Sequence, residues 1–309
     1  MAAAWQGRYH RRMSVARLFR SGTSVLVTGS SSGIGAAVAR HLGRYGCRLA
    51  LFARRAAELA AVAREVEAAG GTALVVPGDV RNLAEVRAAH ERVAREVGPV
   101  DVAFLNAGIG DVTTITRFSA EQIRRLFEVN VIGLVNWLEA LLPAMVERRS
   151  GTIVGTSSLA RDRGLPSSGP YSASKAAVSV MLEALRVEGV ACGIKVVTFE
   201  PGFVKTPLTA KHRFKMPYLL EADDAAARLC RAVAAGERVV RFPLPLALLS
   251  RATGLLPPAL ADRVVARVTR RTKKPRDEEG AASLAAAAGA AAGGTRQGEQ
   301  RQPGQRPAR

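Results

Sequence analysis

The 309-residue sequence predicts an α/β fold: a doubly wound parallel sheet in a single domain, with a C-terminal helical, apolar cap and a disordered tail. Three observations predict it. From Thr23 to about Val240, short β-branched or apolar runs alternate with Ala-, Leu- and Arg-rich stretches of helical length, the pattern of βαβ units. A Gly-rich turn, Gly29 to Gly35, links the first such run to the first such stretch. An apolar content of 48% in a chain of this length is ample for a buried core.

In chain order, the strand candidates are 24 to 28, 48 to 53, 72 to 77, 101 to 105, 151 to 156 and 194 to 199. Between them lie the helix candidates 33 to 45, 56 to 69, 82 to 97, 119 to 147 with a break, and 171 to 191. Six strands and five right-handed crossovers place every strand's C-terminal end on one edge, where ligands bind in such sheets. After Pro201 the pattern loosens into a basic segment, Lys205 to Pro217, then a helix candidate from Glu221 to Ala235. Residues 242 to 262 are apolar but interrupted by Pro243, Pro245, Pro257 and Pro258. They read as a cap over the core, with peripheral contact to a membrane surface as the second reading. The expected organisation is a basic N-terminal extension at 1 to 22 and a folded domain at 23 to 262, its substrate cap at about 205 to 262. A basic, Ala/Gly-rich tail at 263 to 309 has the composition of disorder.

The formal net charge of +19 is concentrated in the flanks. Five Arg and no acid occupy the first 20 residues, and eleven basic against four acidic residues occupy 263 to 309, which leaves only about +7 for the interior. A nucleic-acid reader would carry its basic stripe on the folded body together with stacking aromatics, and aromatics are only 5% here, so no specific nucleic-acid partner is expected. Cys47, Cys192 and Cys230 lack zinc or redox spacing, which fits a reduced, cytoplasmic compartment. His10, His41, His90 and His212 are isolated, and no metal site is expected. No apolar run is read as reaching the roughly 18 residues of a spanning helix, nor does the N-terminus resemble a secretory signal. The Arg-rich start fits a transit peptide, an extension, or a true beginning at Met13.

Glycines in Thr28-Gly29-Ser30-Ser31-Ser32-Gly33-Ile34-Gly35 permit a sharp turn and close approach to a pyrophosphate, and the following helix start favours negative charge. The second strand ends Ala53-Arg54-Arg55, where an acid would select the ribose hydroxyl of NAD and a basic group the 2'-phosphate of NADP; NADP(H) is therefore favoured, against the alternative of surface Arg at a helix start. The third strand ends Pro77-Gly78-Asp79-Val80, where Asp79 is placed either to accept from an adenine amino group or to cap the next helix. The fourth ends Leu105-Asn106-Ala107-Gly108, where small residues let a cofactor lie against the backbone.

Tyr171 and Lys175 share a helical face through their i, i+4 spacing, so the ammonium is expected to stabilise phenolate and lower the phenol from its ordinary value near ~10. Ser158, thirteen residues earlier and beside Ser157, is placed to bond a substrate oxygen as charge develops there. Asn130 falls mid-helix, where a short amide often marks a local role. Taken singly, the serine also reads as a strand cap and the asparagine as a helix kink.

Together these residues resemble the short-chain dehydrogenase/reductase superfamily in its form built around Tyr-x-x-x-Lys, from about Thr23 to Leu208. The resemblance rests on Thr28 to Gly35, Asn106-Ala107-Gly108, Asn130, Ser158, Tyr171 with Lys175, and Pro201-Gly202 followed by Thr206. It implies a Rossmann-type fold, with Tyr171 as general acid for reduction and base for oxidation. Lys175 would also bond the nicotinamide ribose, Ser158 polarise the carbonyl, and Asn130 hold a water in a proton relay. Cofactor contacts are implied for Gly29, Ser31, Ser32, Gly33, Ile34, Gly35, Arg54, Asp79, Val80, Asn106, Ala107, Gly108, Tyr171 and Lys175, with Pro201, Gly202, Val204 and Thr206 on the nicotinamide side. A homodimer or homotetramer through 119 to 147 and 171 to 191 is implied as well, although their apolar faces serve equally to cover the sheet. Two departures stand out. Arg161 replaces a common Gly and is expected to put charge near the substrate mouth, and Leu105 replaces a common Asn.

The expected activity is NAD(P)-dependent, NADPH-linked reduction of a hydrophobic carbonyl or oxidation of the matching secondary alcohol. Two alternatives stand beside it: a catalytically silent NADP-binding regulator or scaffold, and a membrane-surface-associated reductase of lipid or steroid type.

Overall fold

In a computed structural model, residues 15 to 211 and 216 to 272 are described. The elements run α1 (Val15–Leu18), β1 (Ser24–Thr28), α2 (Gly33–Gly43), β2 (Arg48–Ala53), α3 (Ala56–Ala68), β3 (Thr72–Pro77), α4 (Leu83–Glu96), β4 (Val102–Leu105) and α5 (Ala120–Phe127). A π-helical turn (Glu128–Ile132) leads into α6 (Gly133–Glu147), β5 (Gly151–Thr156), a 3-10 turn (Leu159–Asp162), α7 (Gly169–Ala191) and β6 (Ile194–Pro201). The described chain closes with α8 (Ala222–Ala234), β7 (Val239–Phe242), α9 (Leu244–Leu255) and α10 (Pro258–Thr272).

The apolar runs become strands because helices cover both faces of the sheet. All seven strands are parallel, in the order β3-β2-β1-β4-β5-β6-β7, with Leu26 of β1 opposite Ala50 on one side and Ala103 on the other. On one face α2, α3 and α8 bury Leu42, Leu59, Val66 and Leu229; on the other α4, α6 and α7 bury Val86, Trp137, Leu141 and Leu182. The order reverses at β1, so the connections that leave β1 and β4 pass to opposite faces of the sheet and open a crevice at the strands' C-terminal ends.

Several expectations are corrected. A seventh strand, β7, follows α8; four residues interrupted by Arg241 carry too little signal for a sequence reading, but pairing with β6 makes them an edge strand with Val240 and Phe242 inward. The prolines of 242 to 262 begin helices rather than break them: Pro243 and Pro245 flank the start of α9 and Pro258 opens α10, positions where a missing N–H costs nothing. Phe19, in the segment before β1, is fully buried in the core, and α10 continues to Thr272. Residues 1 to 14, including Met13, and the expected tail from 273 onward lie outside the described residues. The span Ala120–Glu147 is long and apolar enough to cross a membrane, contrary to the sequence reading, yet over half of its most apolar window is buried against the sheet, as in a core helix. Its expected break is the π-helical turn centred on Asn130.

Candidate active site

The turn after β1 is held open by backbone geometry. Gly29 and Gly33 have φ of +66° and +59°, a region in which side chains are strained, and a Cβ on Gly29 would lie 2.8 Å from Cα of Ala107. Gly35 is set deeper: a Cβ there would meet the Gly29 carbonyl oxygen at 2.5 Å, so it allows the helix to start against the turn rather than lining the cleft itself. Thr28 Oγ1 accepts from the amides of Asn106 (3.0 Å) and Ala107 (3.1 Å), which ties β1 to β4 across the crevice. The first-turn amides of α2 have no intrahelical acceptor and favour an anion.

A cleft of about 480 Å³ runs from this turn along the sheet edge. At one end it is lined by Ser31, Ser32, Ile34, Arg54, Asp79 and Val80, all foreseen as binding residues, and also by Arg55 and Arg81. Arg55 is the better anchored of the paired arginines, its Nη2 donating to Ser31 Oγ and Ser32 Oγ at 2.8 Å each. Asp79 neither caps α4 nor stands free. Asn82 is the cap, accepting from the amides of Ala84 and Glu85. Both Asp79 carboxylate oxygens accept from Arg81: Oδ2 from Nε (3.0 Å) and Nη2 (2.7 Å), Oδ1 from the backbone N–H (3.0 Å). Burial alone would raise the Asp79 carboxyl, but the Arg81 hydrogen bonds and charge, helped by Arg54, hold it below the usual range.

At the other end Ser158, Tyr171 and Lys175 come together beside Asn106, Ala107 and Gly108, with Pro201, Gly202, Val204 and Thr206 on the facing wall. Thr206 closes against the glycine turn, its Cγ2 lying 3.1 Å from where a Gly33 Cβ would be. Lys175 Nζ donates to the Thr156 carbonyl at 2.9 Å and sits 5.8 Å from the Tyr171 ring centroid. Burial pushes this ammonium down to about 8. The Tyr171 phenol moves up rather than down: burial raises it, the Ser158 hydroxyl works the other way, and the expected lowering by Lys175 is not the governing effect. The adjacent serines divide the work. Ser157 is buried and donates to the Lys175 carbonyl (2.8 Å), whereas the less buried Ser158 directs its hydroxyl to the Tyr171 phenol.

Asn130 is 2% exposed and does not line the cleft. Its Oδ1 accepts from Ile109 N (2.8 Å), and its Nδ2 donates to Ile109 O (3.0 Å) and Ser174 Oγ (3.1 Å), so both side-chain amide donors hold the frame. Arg161 does not project into the substrate mouth. It turns inward to Glu200 Oε1 at 3.0 Å, and Arg241 meets Oε2 of the same fully buried carboxylate. Leu105 is a core residue. The substrate side instead presents Ile109, Pro207 and Leu208, none foreseen, with Leu208 and Tyr171 both within 3.6 Å of a Cβ position at Gly110. Arg125 pairs with Asp111 at the rim (3.0 Å). Ordinary apolar residues in loops have no sequence signal that marks them as lining; only the folded loop does.

A family model described as short chain dehydrogenase matches residues 23–216. The chain is 40% identical over 245 residues to an uncharacterized oxidoreductase of Myxococcus xanthus (strain DK1622), covering 79% of this chain and 97% of that one. It is similar in structure to an alcohol dehydrogenase from the archaeon Thermococcus sibiricus complexed with 5-hydroxy-NADP, at 28% identity and a TM-score of 0.65 over 71% of this chain and 94% of the other. A short chain dehydrogenase/reductase from Burkholderia phymatum in complex with NAD is similar at 26% identity and a TM-score of 0.70, over 76% and 93%. With a phenol, an ammonium and a hydroxyl gathered at the end of a phosphate-binding crevice, the chain belongs to the short-chain dehydrogenase/reductase family and is an oxidoreductase acting on CH–OH groups.

Proposed function

We propose that the protein interconverts a hydrophobic carbonyl compound and its secondary alcohol, using NADP(H) in preference to NAD(H). The observation that carries this reading is the convergence of Ser158, Tyr171 and Lys175 at one end of a cleft whose other end holds Arg54 and Arg55. The positive-φ glycines, the uncapped helix start and the absence of an acid at the end of β2 fit a nicotinamide dinucleotide bearing a 2'-phosphate. Such a cofactor supplies or takes up hydride.

The chain's own part is proton handling and orientation. Tyr171, its phenol kept protonated by burial, donates to the carbonyl oxygen in reduction and takes the proton back in oxidation. Ser158 Oγ bonds the same oxygen as charge develops. Lys175 offers its ammonium to the ribose hydroxyls and to the phenol, and Asn130 acts behind them by fixing Ile109 and Ser174. Ile109, Pro207 and Leu208 favour an apolar substrate. Exposed Val180, Val187 and Val190 on α7 support a homodimer or homotetramer, while Leu182 on the same helix covers the sheet. The unpaired Cys47, Cys192 and Cys230 agree with a cytoplasmic setting.

Tyr171→Phe tests the centre of the reading. Turnover of an apolar ketone with NADPH should fall by about 10²- to 10⁴-fold, while NADPH binding, followed by its fluorescence, persists. Undiminished turnover would remove Tyr171 from the chemistry, and a kcat/KM with NADH equal to that with NADPH would overturn the cofactor preference. If binding persists and no carbonyl or alcohol turns over even in the wild type, the silent-regulator alternative gains.

A further inference from the structure

We infer that the outward face of α9 is a docking surface for an anionic lipid bilayer. Leu244, Leu248 and Leu255 recur at intervals of four and seven and are 65%, 59% and 87% exposed, so they form one apolar stripe on a helix of twelve residues. The stripe cannot rotate inward. Ala247 is buried, Ser250 Oγ donates to the Leu159 carbonyl at 2.7 Å, and a Cβ on Gly254 would meet the Asp162 carbonyl oxygen at 3.0 Å. The inner face is therefore keyed to the 3-10 turn next to Ser158, and the leucines are held outward.

Length and charge identify the occupant. Twelve residues extend about 18 Å, too short to cross a hydrocarbon core of roughly 30 Å but suited to lying in its interface. Arg251, Arg263 and Arg267 are exposed on the α9–α10 pair, and the single acid there, Asp262, faces Arg163 at 3.7 Å. Five more basic residues follow in the sequence between 270 and 276, ahead of three acids. An apolar stripe edged by cations matches the acyl and phosphate layers of an anionic membrane. A second copy fits less well, because a two-fold contact would bring this basic face against itself. The helix also abuts the cleft wall, Leu246 Cδ2 lying 2.9 Å from where a Gly202 Cβ would be. A docked molecule would thus hold its cleft beside the lipid in which apolar substrates concentrate; this last step alone rests on the proposed function.

The full-length chain should pellet with vesicles of phosphatidylcholine mixed with phosphatidylglycerol, more weakly with phosphatidylcholine alone, and less as salt is raised. The double variant Leu248→Glu/Leu255→Glu should lower the partition coefficient at least about tenfold with its thermal midpoint unchanged, and Leu255→Ser should lower it in the same direction if the double variant fails to fold. Absence of pelleting by the wild type, or pelleting that both variants leave intact, overturns the proposal. So does a concentration-dependent oligomer abolished by the double variant without any vesicle binding, which would assign the stripe to a second copy. None of these readings depends on turnover, so they stand apart from failure of the proposed reaction.

Discussion

At Tyr171 and Lys175, burial opposes charge in both partners, and the consequences have opposite signs. Folded Lys175 releases its proton near pH 8, whereas the unfolded chain keeps it to about 10.5; between those values the unfolded state binds more protons and this residue's contribution to stability rises with pH. The Tyr171 phenol, raised above its ordinary 10, holds its proton longer when folded, so its contribution falls beyond that pH. The buried thiols of Cys47 and Cys230 are also raised and act in the falling direction. The informative quantity is therefore the difference between wild type and Lys175→Met in thermal melts. The variant's advantage should be largest below pH 8 and shrink towards pH 10, and a constant difference would mean that Lys175 is not desolvated as the fold implies.

Between elements, Glu200 is the joint. Its carboxylate, on β6, receives Arg161 from the 3-10 turn after Ser158 and Arg241 from β7, with Ser179 Oγ of α7 at 3.5 Å; Ser179 in turn donates to Ser157 Oγ at 2.7 Å. One buried group thus links the strand that ends in Pro201-Gly202 to the turn bearing Ser158 and the helix bearing Tyr171. Glu200→Gln would remove the counter-charge that Arg241 meets here and leave Arg161 with only Asp162, at 3.4 Å. Breaking a buried ion pair costs about 3–5 kcal/mol, and the lower figure is expected here because Arg161 and Arg241 retain some contact with solvent. Urea unfolding should show the midpoint falling with the slope unchanged; a loss well below 1 kcal/mol would show that the arginines find other partners.

At the scale of the whole molecule, the apolar surfaces exposed among the described residues include the valines of α7 and the leucines of α9. The former suits self-association, because Val180 and Val187 lie one heptad apart on a helix already anchored to the sheet through Val178 and Leu182. Val187→Asp should shift the oligomer proposed above to a smaller species in analytical ultracentrifugation while leaving the melting profile close to that of the wild type. An unchanged sedimentation coefficient would remove α7 from the interface. A separate response of the two surfaces to substitution would establish that each has its own occupant.

Much of this architecture is local and was therefore readable from the residues. Six strands, the glycine turn, and the ordered placement of Ser158, Tyr171 and Lys175 follow from short-range patterns of apolar runs, backbone freedom and helical spacing. Most of the choices left to tertiary structure involve partners distant in sequence. Val239–Phe242 becomes a strand only because β6 offers it an edge, and Arg161 leaves the substrate mouth because the buried Glu200, 39 residues later, accepts its guanidinium beside that of Arg241. Asp79 yields its oxygens to Arg81, Asn130 spends its amide on Ile109 and Ser174, and desolvation rather than a neighbouring cation governs the phenol. The sequence by itself determined which groups are present and on which edge of the sheet they gather. The tertiary structure decided which of them face the cleft and which hold it in place, because burial and hydrogen-bond satisfaction are properties of the packed whole.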